Sequence, residues 1–269
     1  MIFVLHTLLF SLLFVLLNIY FGKFVNFPRM VKQDLLTPEK LRIDGRKPHE
    51  IRPIICESGN VVPGADGSAS VSMGLTKVIA YVYGPRPLNK RSQTVSTKAS
   101  VIVDYRSATF GAIDRRRKSR GDRVSIERGM WLQKTFQEAI LVDQFPRSQI
   151  EICVEILQQD GSAVSVAINA VTLALVNAGI PMRDLICSCT LGFIDNSTIL
   201  VDLNQSESDG GSPQITLATY SRSGLISLCE VESKISVPSF QQGLKVGTAS
   251  CSEVAQTIRT HIIDQAHVF

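Results

Sequence analysis

The sequence predicts an α+β fold of mixed sheets packed with helices, on three observations. Strand-like runs gather in two sets, one before and one after a central helix, with two further helical patterns among them. The central helix, inside residues 156–184, is apolar round most of its circumference: Val166, Ala167, Ile168, Ala170, Val171, Leu173, Ala174, Leu175 and Val176. A helix of that kind is buried between other elements rather than laid on a surface. Its one thin polar stripe, Ser165, Asn169 and Thr172, recurs at i, i+4 and i+7 and so faces one direction. Gly179 and Pro181 stop it. The turn before it, Asp160-Gly161-Ser162, presents free backbone N–H groups at a helix start, where an anion can bind.

The other elements follow in order from Leu41. Ile43-Asp44-Gly45-Arg46 reads as a polar turn, and residues 51–57 read as a strand. A Pro-Gly-Ala-Asp-Gly-Ser turn at 63–68 leads into an alternating strand over 68–73 and a β-branched, aromatic strand over 76–83 that ends at Gly84-Pro85. Residues 86–98 are a basic loop, 99–105 a strand, and 111–123 a charged loop. A helix is expected over 125–142, with Ile126, Met130, Leu132, Phe136, Ile140 and Leu141 sharing much of one apolar face. Strands at 149–157, 185–192, 198–203, 214–220 and 224–231 follow, with 204–209 as a loop. From Val237 the pattern of Phe240, Leu244, Val254 and Ile258 predicts a helix, against which Gly243, Gly247 and Ser250-Cys251-Ser252 count.

Hydrophobic content of 45% with 19% charged residues suits one sizeable core, and a net charge of +4 is mild enough that its distribution matters more than its sum. Six cysteines show no CxxC pairing, so they read as reduced, core-filling thiols; Cys187 and Cys189, two apart on a strand, would share a face. Residues 1–22 carry no Lys, Arg, Asp or Glu and are long enough to span a bilayer. Two readings of residues 1–29 stand: a signal anchor, with Lys23, Arg29 and Lys32 keeping the downstream part cytoplasmic, or a misassigned start with Met30 the first residue. The second fits better with the rest of the chain, which reads as a soluble domain.

The strongest charge cluster is a loop holding Arg115, Arg116, Arg117, Lys118, Arg120 and Arg123, with Arg128 just beyond and only Asp114, Asp122 and Glu127 opposing. Such a patch attracts polyanions, and arginine offers bidentate contacts to phosphate oxygens. Few aromatics are interleaved, so contact with the nucleic-acid backbone is expected rather than base stacking. A solvated loop or a nuclear-import-like run are the bland alternatives.

Several segments in fixed order carry a resemblance: Arg42-Ile43-Asp44-Gly45-Arg46, Ala65-Asp66-Gly67-Ser68-Ala69, Thr76-Lys77-Val78, Tyr83-Gly84-Pro85, Pro146-Arg147-Ser148-Gln149-Ile150 and Ala178-Gly179-Ile180-Pro181-Met182-Arg183-Asp184. Over about residues 38–265 the chain resembles the RNase PH family, and within it the subunits that form the ring of the RNA exosome. The resemblance implies an RNase PH fold, related to the second domain of ribosomal protein S5, with a second half from about residue 180. It implies partners as well: other RNase PH-like ring subunits, S1/KH cap subunits, single-stranded RNA threaded through the ring, and an associated exonuclease. Processing and decay of RNA from the 3′ end, ribosomal RNA included, would place the chain in nucleus, nucleolus and cytoplasm. No cofactor is expected.

Active relatives are phosphorolytic. A Gly-Ser/Thr-Arg turn holds inorganic phosphate, and two Asp residues six apart hold a divalent metal or position the reacting groups, because two anions must be brought together. Carried onto this chain, the turn falls on Ser162-Ala163-Val164, with Ala163 in place of the hydroxyl and Val164 in place of the guanidinium; shifted by one residue, Gly161-Ser162-Ala163 still lacks an Arg. The first carboxylate falls on Asp202; six residues on stands Ser208, with Glu207 before it and Asp209 after it. The resemblance therefore implies a degenerate site with Asp202, Asp209 and Ser162 as remnants, and RNA contact by Arg115, Arg116, Arg117, Lys118, Arg120 and Arg123. Two competing expectations remain: an active phosphate-dependent exoribonuclease using Asp202 and Asp209, and an RNA-binding protein tethered to a membrane by residues 1–22.

Overall fold

A computed structural model describes residues 36–37, 41–87, 98–112, 122–194 and 198–266. The hydrophobic segment 1–29 and the basic residues Arg115, Arg116, Arg117, Lys118 and Arg120 lie outside the described residues. Among the described residues, no helix is long and apolar enough to cross a membrane.

Alternation of small and branched residues builds the first sheet. Strands β1 (Ile54–Ser58), β2 (Gly67–Met73) and β3 (Thr76–Pro87) pair antiparallel in sequence order. Strand β5 (Ser148–Gln158) adds antiparallel to β3, and β4 (Ser100–Ser107) joins parallel to β5, giving the order β1-β2-β3-β5-β4. A parallel pair needs a crossover, and helix α1 (Arg123–Ala139) supplies it. Every second residue of β2, β3 and β5, such as Val71, Val78, Ala80, Ile152 and Val154, is fully buried on the inner face.

Helix α2 (Ala163–Asn177) lies on that face, against β2 and β3. Its other side meets a second, antiparallel sheet of order β7-β6-β8-β9, made of β6 (Ile186–Ile194), β7 (Thr198–Val201), β8 (Gln214–Tyr220) and β9 (Ile226–Val231). Residues 163–175 are buried without exception, as a helix apolar round most of its circumference demands. The polar stripe is satisfied by β6. Ser165 Oγ lies 2.7 Å from Thr190 Oγ1, Asn169 donates to Ser188 O (3.1 Å) and accepts from Ser188 N (2.9 Å), and Thr172 donates to Ile186 O (2.8 Å). Buried polar groups need such partners, so the stripe fixes which face of the helix meets which sheet.

Helix α4 (Val237–Ala266) covers the far face of the second sheet, completing the layers sheet, helices, sheet, helix. It runs unbroken through both glycines, which the sequence reading counted against it. The reason is close approach: a Cβ on Gly243 would stand 2.6 Å from the Phe193 ring, and one on Gly247 2.8 Å from Leu191 and Leu217. Three further expectations need correction. Segment 204–209 is not a loop but a short helix, α3 (Gln205–Asp209), with a capping box between Asn204 and Glu207. Helix α1 buries Gly129, Leu132, Thr135, Phe136 and Ala139, whereas Ile126 and Met130, expected on the core face, are 53% and 49% exposed. All six cysteines are free, and Cys187, Cys189 and Cys251 fill the core as expected, but Cys229 is exposed.

Candidate functional site

The turn before α2 and the segment after β7 meet at the heart of the fold. Gly161 has φ +76°, and a Cβ there would fall 2.2 Å from Leu203 O, so the two backbones touch in a way only glycine allows. Ser162, at φ +52°, is the N-cap residue of α2, yet its hydroxyl makes no capping bond; it donates to Leu203 O at 3.0 Å. Ala163 and Val164 follow as buried apolar residues of the first helical turn. The fold thus brings together the two segments singled out in the sequence.

Asp202 does not face an open site. It sits at φ +54° with 0% exposure, and an internal arginine occupies both carboxylate oxygens. Oδ2 accepts from Arg52 N (3.0 Å) and Nε (2.7 Å), and Oδ1 accepts from Nη2 (2.7 Å). Arg46 Nη1 adds a charge at 3.9 Å from Oδ2. Arg52 also donates to Asp160 O at 2.7 Å and lies 3.5 Å from the Asp160 carboxylate, which ties the turn before α2 to the same ion pair. Burial alone would lower the Arg52 pKa, but the Asp202 hydrogen bonds and the charges of Asp202, Asp160 and Asp44 outweigh it and hold the guanidinium above its ordinary value.

A second buried arginine repeats the motif. Arg42, 1% exposed, grips Glu207 through Nε–Oε1 (2.8 Å) and Nη2–Oε2, and donates to Val201 O (2.5 Å) and Asp202 O (2.8 Å). Glu207 Oε2 also accepts from Asn204 N at 2.9 Å, closing the α3 capping box. At the surface, Arg46 reaches Asp44 and Asn204, and burial's upward push on Asp44 is overcome by Asn204 and Arg46, which leave its carboxyl below the usual value. Asp209, by contrast, is exposed at the end of α3 and accepts from Gln205 Nε2 at 2.7 Å. Ser208, the sixth residue after Asp202, accepts from Gln214 Nε2 at 2.6 Å.

These donors do not fit a divalent metal. Asp202 has both oxygens committed to Arg52, and its sequence partner is a serine. Among the described residues, no group of three or more His, Cys, Asp or Glu is placed to hold an ion. Arg52 and Glu207 carry this network and were missed as site residues, because they lie 150 and 165 positions from their partners Asp202 and Arg42. One local signal existed: Arg52 interrupts the apolar run Ile51 to Ile55, where a charge must find a buried partner. Of the basic cluster, Arg123 is described; it opens α1 and is exposed.

Two sheets sandwiching a buried helix, with a glycine turn pressed on an aspartate loop, define a chain of the RNase PH fold. Comparison with known proteins agrees. The 3′ exoribonuclease family matches in both parts, domain 1 over residues 50–181 and domain 2 over residues 184–250. The chain is 42% identical over 226 residues to the mouse (Mus musculus) exosome complex component RRP41, covering 84% of this chain and 91% of that one. Among solved structures, rice (Oryza sativa) Rrp46 superposes with a TM-score of 0.74 at 27% identity, over 82% of this chain and 99% of its own. A subunit of the Archaeoglobus fulgidus exosome with RNA bound to the active site shares the fold, with a TM-score of 0.73 at 22% identity over 81% of this chain and 93% of its own. The chain belongs to the 3′ exoribonuclease family, in its RNase PH-like, RRP41-type branch.

Proposed function

We propose that this chain is a non-catalytic ring subunit of an RNA exosome. It scaffolds the ring with other RNase PH-like subunits beneath S1/KH caps, and guides single-stranded RNA toward an associated exonuclease in 3′→5′ processing and decay, ribosomal RNA included. Its place of work on this reading is the nucleus, nucleolus and cytoplasm. The RRP41 relatives support ring membership. The observation that carries the non-catalytic part is the Asp202 carboxylate, buried and saturated by Arg52. Beside it, Ala163 and Val164 stand where a phosphate clamp would need a hydroxyl and a guanidinium, and Asp209 is at the exposed end of a capped helix. Ser162 spends its hydroxyl on Leu203 O.

RNA handling falls to Arg115, Arg116, Arg117, Lys118, Arg120 and Arg123. They act by electrostatic guidance of phosphates, without reading sequence. The test is a reconstituted complex carrying Arg115→Glu, Arg116→Glu, Arg117→Glu and Arg123→Glu. RNA passage and low-salt RNA affinity should fall while the ring stays intact; unchanged low-salt affinity would remove the loop from the RNA path.

A further inference from the structure

The first sheet keeps one face toward solvent. Val78, Ala80 and Val82 of β3 and Ile152 and Val154 of β5 point into the core, on the side where α1 and α2 pack. Strand alternation turns their neighbours outward: Tyr81 and Tyr83 on β3, Cys153 and Glu155 on β5, Asp104 and Arg106 on β4. None of these outer side chains is buried. The register sets Tyr81 beside Cys153 and Asp104, in one row across the three strands.

The two aromatic rings on this face are held in place. Tyr81 and Tyr83 meet edge to face, with centroids 5.7 Å apart and planes at 76°. The Tyr81 hydroxyl donates to Glu155 Oε1 at 3.1 Å, and the Arg86 guanidinium lies 4.6 Å over the Tyr83 ring. Side chains fixed in advance lose little freedom on binding. Aromatic rings and guanidinium planes are the surfaces on which unpaired bases stack.

Cationic groups stand at both ends of the same face. The last residues of β3 and the first of β4 share one end, where Arg86 lies. Arg106 lies toward the other end, and so does Arg123. Gly129 is set against Val103 and Tyr105 and Gln133 Nε2 donates to Val101 O at 2.9 Å, so α1 runs back along β4 and starts beyond Ser107. The acidic groups nearby have partners: Asp66 pairs with Arg86, Asp104 with Arg106, and Glu155 with Tyr81. Exposed ion pairs of this kind are weak, so both guanidinium groups can turn to phosphate oxygens.

We propose that the outer face of β3, β5 and β4 is a stacking platform for single-stranded RNA, with bases laid on Tyr81 and on the Arg86 guanidinium above Tyr83. Phosphates are held by the arginines at its two ends. This rests on the RNA-guiding reading above and adds to it a contact that salt leaves in place. Every base has a π-face, so the platform grips RNA without reading its sequence.

The test titrates the full chain, alone and in its reconstituted ring, with labelled single-stranded RNA and with an abasic RNA of the same length, by fluorescence anisotropy over a salt series. The double variant Tyr81→Leu, Tyr83→Leu should bind the base-bearing RNA about tenfold more weakly, the loss of roughly one stacked base. It should bind the abasic RNA as wild type does and keep the wild-type salt slope. Tyr81→Phe, which retains the ring, should bind both like wild type. An equal loss on the two RNAs, or a loss on neither, would overturn the inference. So would a double variant that binds RNA normally but stays out of the ring, because the face would then dock protein. If the double variant does not fold, photo-cross-linking of bromouracil-substituted RNA to wild type decides: adducts at Tyr81, Tyr83 or Arg86 support the platform, and adducts confined to other residues overturn it. A wild-type chain that binds neither RNA at low salt, alone or in the ring, would instead sink the RNA-guiding reading itself.

Discussion

Replacing Asp202 with asparagine separates an anchoring carboxylate from a catalytic one. In the folded chain this group takes three bonds of 2.7–3.0 Å from Arg52, at zero exposure. Asp202→Asn keeps the shape and leaves the buried guanidinium facing an amide. Stripping one partner from a buried ion pair costs about 3–5 kcal/mol, mostly the penalty of the stranded charge. Here Asp160 remains 3.5 Å from Arg52 and is partly exposed, which points to the lower end, about 3 kcal/mol. For a domain of this size that lowers the melting temperature by on the order of 10 °C. Thermal unfolding followed by circular dichroism reads it directly. Asp209→Asn is the control: exposed and bonded only to its helix neighbour Gln205, it should change stability by about 0.5 kcal/mol or less. Catalytic carboxylates behave in the opposite way, because their removal is commonly neutral or stabilising. An Asp202→Asn protein melting within about 2 °C of wild type would refute the anchoring role.

Two further outcomes follow from the geometry. Glu230, whose carboxyl is held near 7 against an ordinary value of 4.5, keeps its proton in the folded chain while the unfolded chain gives it up. Its contribution therefore turns destabilising as pH rises from about 4.5 toward 7. Glu230→Gln should raise the melting temperature of the isolated chain more at pH 8 than at pH 4, and a gain independent of pH would contradict this. The RNA affinity of the assembled complex should fall linearly with log salt, and the slope should flatten when Arg115, Arg116, Arg117 and Arg123 become Glu; an unaltered slope would place the phosphate contacts elsewhere.

The parts of this fold that were legible in the sequence are those whose signal is local and periodic. The polar stripe Ser165, Asn169 and Thr172 marked one face of α2, and that face is the one bonded to β6. Strand alternation placed β2, β3 and β5 for the same reason. Helix α3 was not read from the sequence, because five residues reading Gln-Ser-Glu-Ser-Asp carry no apolar period; the Asn204–Glu207 capping box and the pairing of Glu207 with Arg42 hold it. Gly243 and Gly247 misled because propensity counts a glycine as a loss, while their missing side chains are what let α4 lie on Phe193, Leu191 and Leu217. Ile126 and Met130 misled in the other direction: α1 settles on β4 around Gly129, turning them outward. At the site, the missing hydroxyl and guanidinium were plain at Ala163 and Val164. What held Asp202 was not: Arg52, breaking the apolar run Ile51 to Ile55, signals a buried charge, but its partner 150 residues on leaves no mark nearby.

At the centre of the fold, the charged side chains of Arg52, Asp202, Arg42 and Glu207 are paired with one another. The most direct measurement incubates the purified chain, alone and in its ring, with 3′-end-labelled single-stranded RNA in phosphate buffer, and follows release of nucleoside diphosphate. No phosphate-dependent release above that of a ring lacking this chain's contribution, and no difference between wild type and Asp202→Asn at a temperature where both are folded, is the expected result. Phosphate-dependent shortening by this chain that Asp202→Asn abolishes would contradict it and make the chain an active exoribonuclease.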